Sequence, residues 1–152
     1  MNRDRIRLSR RHQAWIYSAF GVLFLSGAVW LVFHFFMHRQ GEFGETTHPA
    51  EPWAMKVHGA AAMLVLVVLG TLLPGHVRRG WNLGKNRTSG GGLLILNGVL
   101  ILSGYALYYF GGEGVRPVIS AVHWIVGLLS PFAIAWHVRK GRKLRKLDGA
   151  RL

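Results

Sequence analysis

Two stretches of the chain end alike. One runs from Val57-His58 through an unbroken apolar segment to His76-Val77-Arg78-Arg79-Gly80, and the other from Val122-His123 through a second apolar segment to His137-Val138-Arg139-Lys140-Gly141. Each is long enough to cross a bilayer core, which takes roughly 20 helical residues. Each follows another apolar run, and those two runs share the string Leu25-Ser26-Gly27 and Leu102-Ser103-Gly104, a match too short to carry weight alone. The pattern reads as two copies of a helical hairpin, a plain helix followed by a histidine helix.

Working outward, four spans are predicted at 14–37, 53–73, 91–110 and 117–136. None contains an acidic residue, and Lys56 is the one base inside any of them. With 152 residues in all, little is left for a soluble domain. The expected fold is therefore an all-α membrane protein, a single domain over 1–152 in which four transmembrane helices form one bundle. A basic arm, 1–12, and a basic tail, 137–152, flank it.

Charge gives the expected orientation. The chain carries 19 Lys+Arg against 6 Asp+Glu, a net charge of +13. The arm (Arg3, Arg5, Arg7, Arg10, Arg11), the middle loop (Arg78, Arg79, Lys85, Arg87) and the tail (Arg139, Lys140, Arg142, Lys143, Arg145, Lys146, Arg151) hold 16 of those 19 bases. The other two connections hold Arg39, Lys56 and Arg116, with Glu42, Glu45, Glu51 and Glu113. The positive-inside rule places both termini in the cytoplasm of a multi-pass protein of a prokaryotic inner membrane. Trp15, Trp53, Trp81, Trp124, Trp136 and Tyr108-Tyr109 fall near span ends, as interfacial anchors do. The first apolar run is about twice the length of a signal-peptide core, so the first helix is expected to stay. The bases flank membrane spans, where topology and anionic lipid account for them, so nucleic acid is not an expected partner and membrane lipid is.

The composition also bounds the chemistry. With no cysteine and 8 histidines, disulfides, thiolate zinc sites, iron–sulfur clusters and covalently attached c-type haem are excluded, and any metal or haem must be held mainly by histidine. His58 and His76 are 18 residues apart and His123 and His137 are 14 apart, five and nearly four helical turns, so each pair projects from nearly one face. The axial separations are about 27 Å and about 21 Å. Two parallel helices with imidazoles at two depths would hold two flat macrocycles, each between two histidines. Haem iron with two imidazole ligands has no open position, which favours electron transfer. An imidazole deep in a span is costly unless something uses it, which singles out His58 and His123.

Supporting residues follow from the same reading. Gly59, Ala60, Ala61 and Ala62 beside His58, Gly127 after His123, and Gly21, Gly27, Gly98 and Gly104 on the plain helices would give a porphyrin edge room, although such residues also serve close helix packing. Haem propionates want cations, for which Arg78, Arg79, Arg139 and Lys140 are placed at the inner surface, and Lys56 and Arg116 more weakly at the outer one. His12 rivals His76 as the inner ligand, because Pro74-Gly75 is expected to end the second helix before His76. His34, His38 and His48 are spaced irregularly and read as solvated rather than as a metal site. Asn97 is expected to bond to a neighbouring helix, and Gly90-Gly91-Gly92 reads as a loop end.

These residues resemble the four-helix membrane b-type cytochromes of the prokaryotic cytochrome b-561 type, related to the cytochrome b subunits of nickel-iron hydrogenases and formate dehydrogenases. The likeness spans roughly residues 8 to 146. It rests on Arg11-His12 and Trp15 after the basic arm, the Ser26-Gly27 step, and the fourth helix with Trp124 after its first histidine and His137 before a basic tail. It implies haem b, with two haems expected and one as the alternative, and haem ligation by His58, His123 and His137. It also implies electron transfer between a quinone pool and a redox partner subunit. In several relatives the inner haem takes a ligand from the first helix, which favours His12, whereas the internal repeat favours His76. The chain is shorter than many relatives and lacks a fifth helix, so the alternative function is a non-catalytic membrane anchor or assembly subunit of a larger respiratory complex. No nucleophile, carboxylate pair or phosphate loop is present, so no catalytic residue is expected in this chain itself.

Overall fold

A computed structural model describes residues 8–42, 44–110 and 112–149. The bases at positions 3, 5, 7 and 151, and the side chain of Arg145, lie outside the described part. Four helices are long and apolar enough to cross a membrane, spanning Arg10–Phe36, Ala50–Asn82, Arg87–Tyr109 and Arg116–Leu144. The shortest has 23 residues, about 34 Å of helix against a hydrocarbon core of about 30 Å.

The chain divides into two compact units, Met1–His76 and Val77–Leu152. In the first, helix α1 (Arg10–Phe36) begins where the Ser9 hydroxyl accepts the His12 backbone N–H at 3.1 Å, an N-cap that satisfies one of the first-turn donors. A short antiparallel hairpin follows, β1 (Arg39–Gly41) with β2 (Gly44–Thr46). Gly44 sits at φ 115°, where a side chain would be strained. Helix α2 (Ala50–Leu72) then returns antiparallel along α1. Their packed core is Ala19, Val65 and Val68, surrounded by Ile16, Phe20, Leu23, Leu69 and Leu72.

Pro74-Gly75 does not end the second membrane-spanning helix, which runs over Ala50–Asn82. Pro74 has no N–H to give its i−4 partner, Gly70, and the chain absorbs this as a π turn, Leu73–Val77, before continuing as α3 (Arg78–Asn82). His76 lies inside that turn. A π turn takes in one extra residue, which offsets the helix beyond it by about 100°. The five-turn alignment of His58 with His76, computed for a straight α-helix, therefore does not hold.

In the second unit α4 (Arg87–Tyr109) packs antiparallel on α5 (Arg116–Gly149). Asn86 precedes α4 at φ 55°, a left-handed conformation that asparagine tolerates better than most residues. The helix starts here, so Gly90-Gly91-Gly92 lies within its second turn and is not a loop end. At its other end the Arg116 guanidinium donates to the Leu107 carbonyl at 2.9 Å, satisfying one of the last-turn acceptors. Helix α5 passes through Pro131 and runs on to Gly149, well beyond the expected end at 136. No helix breaker stands between His137 and Gly149 apart from Gly141, and Arg, Lys and Leu are good helix formers, so the first part of the basic tail is helical.

Candidate functional site

Within the first unit, His58 on α2 faces the middle of α1. Its Nδ1 lies 3.0 Å from the Leu23 carbonyl oxygen and 3.2 Å from Ser26 Oγ. The ring rests against Gly27, where a Cβ would stand 3.0 Å from His58 Cε1 and 3.2 Å from Nδ1. Beside it, Val22, Val29, Ser26, Trp53, Ala54 and Val57 line a groove that is apolar except for the serine.

The second unit contains the same contact twice. His123 Nδ1 lies 2.8 Å from Ser103 Oγ, and a Cβ on Gly104 would approach His123 Cε1 to 3.3 Å. His137 Nδ1 lies 3.0 Å from Ser89 Oγ, and a Cβ on Gly90 would approach His137 Cε1 to 3.6 Å. Asn86, just before α4, holds the same residue, its amide nitrogen 3.2 Å from the His137 carbonyl oxygen, to which it donates, and 3.3 Å from the ring's Nδ1. The Ser-Gly dipeptide occurs three times in the sequence, and each copy faces a histidine. Ser26, Ser89 and Ser103 are also the buried polar residues among those described.

This arrangement has a physical logic. Glycine lets the imidazole lie close to the neighbouring helix, and the serine before it supplies a hydroxyl to one ring nitrogen. The ring is then held at Nδ1, with Nε2 on its opposite side. A histidine that ligates a metal is commonly held in this way, by a second-shell group on the other nitrogen. Histidines held in this way are the type of donor that haem iron would require.

The remaining candidates divide. His76 lies in the π turn with its Nδ1 buried. His12 contacts Thr71, Nε2 to Oγ1 at 3.3 Å, near the cytoplasmic ends predicted for α1 and α2. Arg78, Arg79 and Arg139 are exposed near the ends of their helices, and the Lys140 ammonium lies 5.5 Å from the Trp136 ring centre. Lys56 lies 4.5 Å from the Trp53 ring centre. Arg116 caps α4, as described. His34 Nδ1 pairs with Glu51 Oε1 at 2.8 Å and its ring stacks on Trp30, while His48 stacks on Phe33 and accepts the Ala50 N–H. Among the described residues no group of three or more His, Cys, Asp or Glu could hold a metal ion. Asn97 bonds within its own helix, to the Leu93 carbonyl at 2.8 Å, and not to a neighbour; its i−4 carbonyl satisfies the amide without a partner helix.

Leu23, Ser89 and Asn86 were not singled out by the sequence, Gly90 only as a loop end, and Ser26 and Ser103 only as part of a short string. A signal for them is present: Ser89 and Ser103 are 14 residues apart, as are His123 and His137, so two antiparallel helices bring both pairs into register together. Compared with known protein families, curated proteins and solved structures, the chain matches none.

Proposed function

We propose that the protein is a b-type cytochrome of a prokaryotic inner membrane that carries electrons across the bilayer. Two haems are ligated by His58, His76, His123 and His137. The observation that carries this reading is the serine–glycine seat beneath three of those four rings, each anchoring Nδ1. Bound haem with two imidazole ligands supplies a reversible one-electron couple and no open coordination position. The chain's own contribution is to orient the rings, to surround them with apolar side chains that keep water out, and to offer Arg78, Arg79 and Arg139 to the propionates. A quinone pool and a redox partner subunit are the proposed donor and acceptor.

Sealed liposomes with ferricyanide trapped inside test the function. With the haem-loaded protein inserted, an external reductant that crosses membranes poorly should bleach the trapped ferricyanide far faster than in protein-free liposomes. Equal rates would contradict transmembrane electron transfer.

The proposed orientation, with both termini in the cytoplasm, has its own test because the chain contains no cysteine. Single cysteines replacing Gln40 or Gly112 should react with an impermeant maleimide on intact cells, and one replacing Lys143 only after lysis. The reverse pattern would overturn the orientation.

The second reading, an anchor or assembly subunit, is favoured by one feature. Helix α5 continues beyond its apolar part with Arg139, Arg142, Lys143 and Lys146 exposed or nearly so. Such a basic helix would dock an acidic protein surface or anionic lipid.

A further inference from the structure

The serine contacts also determine where the ring protons sit. A serine hydroxyl has one hydrogen to give, and a carbonyl oxygen can only accept. Ser103 Oγ lies 2.6 Å from the Val99 carbonyl oxygen, so its hydrogen is committed there. Oγ then meets His123 Nδ1 as an acceptor, and the ring must donate N–H from Nδ1. Ser89 donates to Asn86 Oδ1, an assignment consistent with the Asn86 amide donating to the His137 carbonyl. His137 Nδ1 faces both Ser89 Oγ at 3.0 Å and the Asn86 amide, a donor, at 3.3 Å, so these two residues hold the ring without fixing its tautomer. Ser26 donates to the Leu23 carbonyl at 3.0 Å, and His58 Nδ1 faces that same oxygen and Ser26 Oγ, both acceptors. A neutral imidazole with its proton on Nδ1 carries its lone pair on Nε2.

His12 comes out the other way. Thr71 Oγ1 donates to the Val68 carbonyl at 2.7 Å, so it can only accept from His12 Nε2. The lone pair of His12 is then on Nδ1, and its Nε2 is occupied in holding α1 to α2.

We infer that the hydroxyls of Ser26 and Ser103 are positioning groups that prepare Nε2 of His58 and His123 to ligate iron. The opposite arrangement at Thr71 means that His12 would have to give up its Nε2 contact to ligate through that nitrogen, which favours His76 as the fourth ligand. This rests on the haem reading above and goes beyond it in naming the ligating nitrogen, the groups that set it, and the choice between His12 and His76.

The effects are graded. Ser103→Ala deprives His123 of the shortest of the three contacts, and haem retention should weaken by about 10- to 100-fold, the usual cost of losing a second-shell partner. Ser103→Thr keeps a hydroxyl and should restore most of it. Ser26→Ala should be milder, because the Leu23 carbonyl still accepts from His58. His12→Ala should keep the full haem content.

The experiment compares these variants in the full-length purified protein by the rate of haem transfer to apomyoglobin. It is paired with nitrogen-15 NMR of the histidine rings in the same chain produced without haem. Expected are fast haem loss in Ser103→Ala, rescue by Ser103→Thr, protons on Nδ1 of His58 and His123, and a proton on Nε2 of His12. Unchanged haem transfer in Ser103→Ala, loss of a haem in His12→Ala, or an unprotonated Nδ1 on His58 or His123 would overturn the inference. If the wild-type chain took up no haem while the rings showed the expected protons, the haem reading would fail and the hydroxyl assignment would stand.

Discussion

His123→Ala is expected to lower the haem content by half, leaving one haem per chain and a protein that still folds. The ring lies part-way into α5 on the Ser103-Gly104 step, 2.8 Å from the serine oxygen. Alanine leaves no nitrogen at that depth. The Ser103 hydroxyl keeps its bond to the Val99 carbonyl, so no buried hydrogen is stranded and the helix pair should survive. His58→Ala should behave alike in the first unit, where Ser26 keeps the Leu23 carbonyl. His34→Ala is the contrast, since that ring is paired with Glu51 and stacked on Trp30, and it should leave haem content unchanged. Haem per chain, by pyridine haemochrome against protein concentration, reads all three. Full haem content in both the His123 and His58 variants would mean the ligands are wrongly assigned.

Gly27→Ala is expected to destabilise the protein by about 1–3 kcal/mol, the usual range for overpacking a filled site. The new methyl would stand 3.0 Å from His58 Cε1 and 3.2 Å from Nδ1. The ring cannot retreat without giving up the Ser26 and Leu23 oxygens. The same substitution at Gly104 meets His123 at 3.3 Å, and at Gly90 it meets His137 at 3.6 Å, an ordinary contact. The order of damage, in both thermal midpoint and haem content, should be Gly27, then Gly104, then Gly90. Equal effects at all three positions, or the largest effect at Gly90, would show that the glycines serve general helix packing and not a seat for the rings.

The spans were readable because hydrocarbon leaves so few choices. A run of about 20 apolar residues without acids admits little but a helix. The ends were harder. Pro74-Gly75 carries the local chemistry of a helix stop, yet a π turn keeps the helix going to Asn82. Gly90-Gly91-Gly92 has the composition of a loop, yet Asn86 and Ser89, held to His137, start the helix ahead of it. The basic tail reads as solvated charge, and Arg139, Arg142, Lys143 and Lys146 are exposed, but on a helix that runs to Gly149.

At the site, the histidines stood out because an imidazole deep in a span needs a reason. The serines did not, since serine in a membrane helix can bond to its own i−4 carbonyl and need signify nothing. Ser26 and Ser103 do bond to carbonyls of their own helix; their second contact, to a ring on another helix, depends on which faces meet. That facing is a tertiary fact. It would have been legible only by trusting the equal 14-residue spacings on α4 and α5.

The most direct test of the haem assignment is a dithionite-reduced minus air-oxidised visible spectrum of the detergent-purified full chain, expressed with ample haem supply and with haem quantified per chain. Sharp b-type bands at two haems per chain are the expected result. Absence of any haem signal would contradict the account and bring the anchor reading forward.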